Sequence, residues 1–321
     1  MPDGTGFRLK GRADVELVDL RYFVSIAETG SFTKSALQNN IAQSALSRRV
    51  RDLEADLGVQ LFYRNGRGVL LTEVGETFLA RARGILADME SLRQEVTRTS
   101  GVLEGTVTLG VPPSVGLILL APLLSQVRAD HPGIRMRVLE AFSGHVADWL
   151  ANGKVDLAVL YKTRSSTLLD SEHLLFEDMY LISAPTLPLL GALDGIALAE
   201  IAGVELALPS RPHGLRMLVD EACARGQVGL NIAMELDTLP TICDLVAAGT
   251  IRTILPLTAV QADLTAGRVM AQKITDPIIS RELILAHAPH RATAPVTKAV
   301  VRLIRSHINR LVKSGLWVGR I

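Results

Sequence analysis

Cysteine is nearly absent. The 321 residues hold two, Cys223 and Cys243. They have no CxxC spacing, which excludes a disulfide framework and a cysteine zinc site as organising features, and packed thiols are the expected role. Long apolar runs are missing as well. The N-terminus lacks the hydrophobic segment of a secretory signal, and no stretch is long enough to span a bilayer. The expected location is the cytoplasm, with no membrane partner. Charge of one sign is also lacking, with 34 Lys and Arg against 33 Asp and Glu and a formal net charge of +1. Bulk attraction to nucleic acid is therefore excluded, and any such footprint must be local. Signatures of catalysis are missing too: there is no G-x-S-x-G elbow, no P-loop, no HExxH helix and no glycine-rich dinucleotide fingerprint. His287 and His290 have a nominal HxxH spacing, but Pro289 between them prevents a helical two-histidine face. The chain is not expected to be an enzyme, and neither a metal nor a cofactor is expected.

What is present is concentrated between Ser31 and Thr72. Leu17, Leu20, Phe23, Val24 and Ala27 recur at helical spacing just before it. Gly30 ends that helix, and Ser31 is placed to cap the next through its side-chain oxygen. Ala36 and Leu37 give the second helix an apolar face. Gln38, Asn39 and Asn40 break the pattern and mark a turn. A third helix carries Leu46, Val50, Leu53 and Leu57 on one face and stops at Gly58. Its other face carries Gln43, Ser44, Ser47, Arg48 and Arg51. Gln can bond adenine, Arg can bond guanine, and Ser suits either. Leu61 to Arg64, the turn dipeptide Asn65-Gly66, Arg67, and the returning Val69 to Leu71 then read as a β-hairpin. Helix, turn, helix and an arginine-bearing hairpin are the layout of a winged helix-turn-helix. Even here Lys and Arg outnumber Asp and Glu by only two between Leu17 and Thr72, so docking depends on a few cations.

These residues closely resemble the LysR-type family of bacterial transcriptional regulators. The matching positions are Phe23, Gly30, Ser31-Phe32, Ala36, Gln43, Leu46-Ser47-Arg48, Leu53-Glu54, Leu57-Gly58, Leu61-Phe62, Arg64, Leu71-Thr72 and Gly75. Ser44 stands where the family usually has Pro, and Asn39 where it has an apolar residue. The set expected to contact DNA is Thr33, Gln43, Ser44, Ser47, Arg48, Arg64 and Arg67, with Arg64 on the backbone or minor groove. The resemblance implies a palindromic promoter operator, a homodimer or dimer-of-dimers homotetramer, a small-molecule effector and RNA polymerase as partners.

From Glu73 to about Thr99 the chain has no proline. Thr72 is a plausible N-cap, with Glu73 and Glu76 in the first turn. Phe78, Ala82, Ile85, Met89, Leu92 and Val96 alternate spacings of four and three, the period of a coiled-coil seam. Residues 73–100 are therefore expected to form a dimerising linker helix behind a winged helix-turn-helix at 17–72, with residues 1–16 a flexible tail.

Beyond a hinge at Gly101–Gly105, apolar strand patterns alternate with helical ones, which predicts an α/β class with mostly parallel sheet. Two such stretches suggest two Rossmann-like lobes, the periplasmic-binding-protein-like effector domain that the resemblance implies. The expected bounds are 101–312 for the domain, about 106–165 and 274–312 for the first lobe, and about 166–273 for the second. Residues 313–321 read as a tail. Ligands in such modules bind where strand ends and helix N-termini converge. That places Ser114, Ser143, Thr163, Arg211, His213 and Thr238 around an effector cleft. Arg211 and His213 are the candidate charge partners, and they tilt the expectation toward an anionic effector. Free N–H groups behind Ser114 are expected to help. The competing class is a cytoplasmic small-molecule-binding protein or enzyme whose N-terminal helices serve oligomerisation only.

Overall fold

The computed structural model describes residues 15–65, 68–96, 103–162, 166, 169–191, 195–288 and 294–321. It divides into an N-terminal unit and a larger C-terminal unit.

The N-terminal unit runs α1 (Leu17–Thr29), α2 (Phe32–Gln38), α3 (Gln43–Leu57), β1 (Phe62–Asn65), β2 (Gly68–Leu71) and α4 (Glu73–Val96). Gly30 and Gly58 end α1 and α3 with positive φ, where an L side chain would be strained. The Ser31 hydroxyl accepts the Lys34 N–H at the start of α2. Leu20, Phe23, Ile26, Leu46, Val50, Leu53, Leu61 and Phe62 close one core. Phe23 anchors it, with ring centroids 5.0 Å from Phe62 and 4.9 Å from Phe78. The Asn39 side chain is hydrogen-bonded beside this core. Its amide donates to the Ser25 hydroxyl and the Ser35 carbonyl at 2.8 Å each, and the Ser35 hydroxyl also donates to Ser25. A polar residue in an otherwise apolar place is satisfied by two serines.

β1 and β2 pair antiparallel from Phe62–Leu71 to Asn65–Gly68. Glu54 of α3 fixes their base, accepting the N–H groups of Leu61 at 2.8 Å and Phe62 at 3.2 Å. The Thr72 hydroxyl accepts the Gly75 N–H at 2.9 Å and donates to Gln60 O. A Cβ on Gly75 would lie 2.1 Å from the Leu61 carbonyl oxygen, so only glycine lets α4 leave the hairpin this closely.

One expectation for α4 changes. Phe78 and Ala82 both pack against the core of the N-terminal unit, where Ala82 is buried and Phe78 partly so. Ile85, Met89 and Leu92 stay exposed. The heptad pattern thus splits, its first two positions serving the unit's own core. The Val96 side chain, the wing residues Gly66 and Arg67, and positions 97–102 lie outside the described residues, as do residues 1–14.

The C-terminal unit begins with β3 (Gly105–Val111), α5 (Pro113–Asp130), β4 (Ile134–Glu140), α6 (Ser143–Ala151), β5 (Leu157–Tyr161) and β6 (Ser171–Asp178). It continues with β7 (Tyr180–Ser183), β8 (Ile196–Ala197), a short 3-10 turn at Leu198–Ile201, β9 (Glu205–Leu208), α7 (Gly214–Gly226), β10 (Asn231–Glu235) and α8 (Leu239–Ala247). It ends with β11 (Arg252–Leu255), α9 (Leu257–Thr265), β12 (Met270–Asp276), β13 (Ser280–His287) and α10 (Pro295–Lys313).

Among the described residues these strands form two sheets, ordered β4-β3-β5-β13-β6 and β10-β9-β11-β7-β12-β8. The sheets are mixed rather than mostly parallel. β13 runs antiparallel to β5 and β6, and β7 antiparallel to β11 and β12. These are the strands adjoining the two crossings between lobes, at Met179 and at residues 277–279. The Met179 N–H bonds Ile279 O at 2.8 Å, so the crossings lie side by side.

Two expected boundaries therefore move. β6 belongs to the first lobe because it pairs with β13, which puts the first crossing near 179 instead of 166. β12 belongs to the second lobe because it pairs with β7, which puts the return near 279 instead of 274. Residues 313–321 are not a loose tail either. Trp317 is fully buried in the first lobe's core, and Arg320 exchanges backbone hydrogen bonds with Phe176. His290 lies outside the described residues. No helix among the described residues is long and apolar enough to cross a membrane.

Candidate functional site

Two places in the molecule present side chains for recognition. The first is the leading end of α3. Leu46, Val50 and Leu53 point into the core, which turns Gln43, Ser44 and Arg48 outward and leaves Ser47 half-exposed. The Gln43 amide donates to the Ser47 hydroxyl at 2.9 Å, which pre-orients both. Arg48 makes only a 3.8 Å exposed pairing with Asp52 and is free to reach outward. Its neighbour Arg49 is spent differently, bonding Asp19 at 2.9 Å and Glu16 at 3.0 Å and so tying α3 to α1. Thr33 is exposed in the first turn of α2. Arg64 sits on β1 opposite Val69; Arg67 lies outside the described residues.

The second place is a cleft of about 280 Å³ between the lobes of the C-terminal unit. Its walls are largely apolar: Pro112, Phe142 and Phe176 from the first lobe, Leu215, Leu239 and Ile242 from the second. Ser114, Ser143 and His213 line it as expected from the sequence. The Ser143 hydroxyl accepts the Tyr161 N–H at 3.2 Å, which leaves its own O–H to donate. The Phe142 ring meets the His213 ring edge-on across the cleft, 4.3 Å between centroids.

Other expected members fall away. Arg211 is exposed and donates to Asp220 at 2.7 Å, outside the cleft lining. Thr238 is exposed and also outside the lining, although Asp237 and Leu239 on either side line it. Thr163 lies outside the described residues. His213 is held neutral by its protein surroundings, because burial, reinforced by the nearby Arg281 charge, lowers its pKa to about 4 against a weaker pull from Asp237. Its Nδ1 accepts the Leu215 N–H at 3.0 Å. The helix N-terminus behind Ser114 is also poorer in donors than expected. Pro113 has no N–H, and the N–H groups of Val115 and Gly116 bond back to Pro112 O.

Around Ser114 the cleft holds a polar cluster whose other members, Tyr161 and Arg281, the sequence did not signal. Arg281 of β13 lies over the Tyr161 ring, 3.3 Å from its centroid, and donates to the Ser114 hydroxyl at 3.4 Å. Ser114 also donates to the Tyr161 hydroxyl at 3.4 Å. Burial pushes the Tyr161 phenol well above its ordinary pKa, so it stays uncharged. Arg281 pairs with Glu177 at 2.7 Å, and Glu177 is 1% exposed. Glu177 also accepts from Trp317 Nε1 at 3.0 Å and from the Thr258 hydroxyl. Arg281 and Glu177 stand 104 residues apart in sequence, and no local pattern signals such a pair.

Both halves of the chain match known protein families. Residues 17–76 match the bacterial regulatory helix-turn-helix protein, lysR family, and residues 100–309 match the LysR substrate binding domain. The chain belongs to the LysR family of transcriptional regulators.

This LysR-type regulator is 31% identical to the nitrogen assimilation regulatory protein nac of Klebsiella aerogenes over 91% of this chain and 94% of that protein. It is 31% identical to a probable hydrogen peroxide-inducible genes activator of Streptomyces viridosporus over 94% of this chain and 97% of that one. Among solved structures, a full-length OxyR variant from Pseudomonas aeruginosa superposes with a TM-score of 0.76 at 25% identity, covering 92% of this chain and 95% of the other. The LysR-type assignment makes the protein a DNA-binding regulator with an effector-binding domain and not an enzyme.

Proposed function

We propose that this LysR-type regulator acts in the cytoplasm as a homotetramer. In this reading two paired reading helices contact an interrupted palindrome, and a small molecule held in the interlobe cleft sets the response of RNA polymerase. The base-reading set is Gln43, Ser44, Ser47 and Arg48. Thr33, Arg64 and Arg67 serve the backbone or minor groove. The observation that carries the reading is the cleft. Its walls are largely apolar, it joins both lobes through Phe142 and His213, and Ser114, Tyr161 and Arg281 meet within it. A ligand there bridges two bodies connected by only two crossings. It shifts their arrangement to the extent that it binds one arrangement better than the other.

The peroxide-linked relatives do not extend their named role to this chain. Burial, with Asp263 and Asp244 nearby, raises the Cys243 thiol to about 11, and burial also raises Cys223. A redox-sensing cysteine requires the opposite, an accessible thiolate.

A gel shift with the DNA upstream of the protein's own coding region tests the first half. A thermal-shift screen of small molecules, repeated on Ser114→Leu, tests the second. Absence of any DNA complex at controlled salt overturns the DNA assignment of α3. A ligand whose stabilisation survives Ser114→Leu moves the effector site elsewhere.

A further inference from the structure

We propose that the cleft selects an uncharged, largely apolar small molecule, and that Glu177 is the residue that imposes this choice by cancelling Arg281. The inference rests on the reading of the cleft as the effector site.

Among the described residues, each lysine and arginine that lines the cleft has an acidic partner. Arg281 binds Glu177 Oε2 through Nε at 2.8 Å and through its terminal nitrogen at 2.7 Å. Lys162 binds Glu282 at 2.9 Å. Asp237 adds a further negative charge to the lining, held by the Ser210 N–H and hydroxyl. With its pKa lowered to about 4 by its protein surroundings, His213 is neutral near pH 7. A carboxylate entering this cleft would lose its water and find no uncompensated cation among the described residues, which is the costly way to bury a charge.

Glu177 is held beside Arg281 by further partners. Its Oε1 accepts from Trp317 Nε1, in the C-terminal segment, and from the Thr258 hydroxyl, in the second lobe. Trp Nε1–H and the arginine guanidinium only donate, so the carboxylate serves as acceptor to both. Elements from both lobes and from the chain's end thus lock one carboxylate in place behind the cleft cation. Beside Arg281, the hydroxyls of Ser114 and Tyr161 can meet a ligand's polar tip, which suits a hydroxyl, carbonyl or amide. Much of the remaining wall is apolar, formed by Pro112, Phe142, Leu215, Leu239 and Ile242. At about 280 Å³, the space is near the lower end of small-molecule sites, which run from roughly 300 Å³ upward.

The test is calorimetric titration of the full-length protein with three isosteric pairs: benzamide and benzoate, phenylacetamide and phenylacetate, naphthamide and naphthoate. The amide of each pair that binds is expected to bind tighter than its carboxylate by roughly tenfold or more. Glu177→Gln uncovers Arg281 and is expected to reverse that order. The double variant Glu177→Gln with Arg281→Gln is expected to restore it. If Glu177→Gln fails to fold, the wild-type comparison and the charge-free double variant still decide. A carboxylate that equals or beats its amide in the wild type, and loses its binding in Ser114→Leu, overturns the selectivity alone. Binding indifferent to Ser114→Leu, or no binding by any of the six at millimolar concentration, overturns the effector-cleft reading and this inference with it.

Discussion

Single residues divide the labour of this chain sharply, and arginine shows it best. Arg49 holds α3 against α1 through two acidic partners, while Arg48, one position earlier, has only a loose surface pairing. An exposed pairing of this kind adds little to stability. Arg48→Ala is therefore expected to leave the unfolding midpoint nearly unchanged and to weaken operator binding by about 1–3 kcal/mol. Gel-shift affinities at fixed salt check this, and an unchanged affinity removes Arg48 from the contact set. His213 carries a second residue-scale prediction. Its folded-state pKa is about 4 against an ordinary 6.5. Between those values the unfolded chain binds a proton that the folded chain refuses, so stability rises with pH across that window. On acidification from about 6.5 to about 4 the protein is expected to lose on the order of 2–3 kcal/mol through this group. Denaturant unfolding of His213→Asn, which keeps an acceptor for the Leu215 N–H, should show a flatter profile there. An identical profile in the variant would assign the acid loss to other groups.

At the scale of elements, the C-terminal segment after α10 does more than end the chain. Trp317 is fully buried, its Nε1 bonds Glu177, and Arg320 pairs with Asp178 beside the lobe crossing. Burial would raise the Asp178 carboxyl, but Arg320, Lys273 and Ser280 together bring it down to about 2. Trp317→Ala is expected to destabilise the C-terminal unit by about 3–5 kcal/mol. Trp317→Phe, which keeps most of the ring and drops the N–H, should cost less. Urea unfolding of the two variants checks the order, and equal small effects would mean that the segment is dispensable. Elements of this kind are the hardest to read from the sequence. α1, α3 and α10 are legible because their apolar spacing is local. β6 is not, because its exposed Ser171, His173 and Phe176 dilute the pattern, and its membership in the first sheet is set by the distant β13. α9 is obscure too, being broken by a non-helical Val260. The cleft's position follows from strand ends, as do Ser114, Ser143 and His213. Its charge pair does not, because Glu177 and Arg281 meet only once both crossings are folded.

For the whole molecule, the open question is what covers the second half of the linker-helix stripe. A period of 3.5 residues identifies a face to be buried without saying whether its partner is the same chain. Phe78 and Ala82 find theirs within the N-terminal unit. Ile85, Met89 and Leu92 remain 47%, 43% and 54% exposed, at spacings of four and three along α4. Three such residues in a row on one helix face are poorly suited to solvent, and burying each stabilises an assembly by about 1.5–3 kcal/mol at full coverage. A reader of palindromic DNA needs two copies of α3 related by a two-fold axis, and a helix leaving each N-terminal unit is the natural place to join them. Ile85→Lys puts a charge into that stripe without touching the core that holds Phe78 and Ala82. It is expected to split the dimer and reduce binding to a full palindrome far more than to a half-site, with the fold of each unit retained. Light scattering at micromolar concentration reads the first effect, and gel shifts on full and half operators read the second. A wild-type protein that is monomeric in that measurement, or an Ile85→Lys variant that assembles and binds as before, would assign the exposed stripe a role other than pairing.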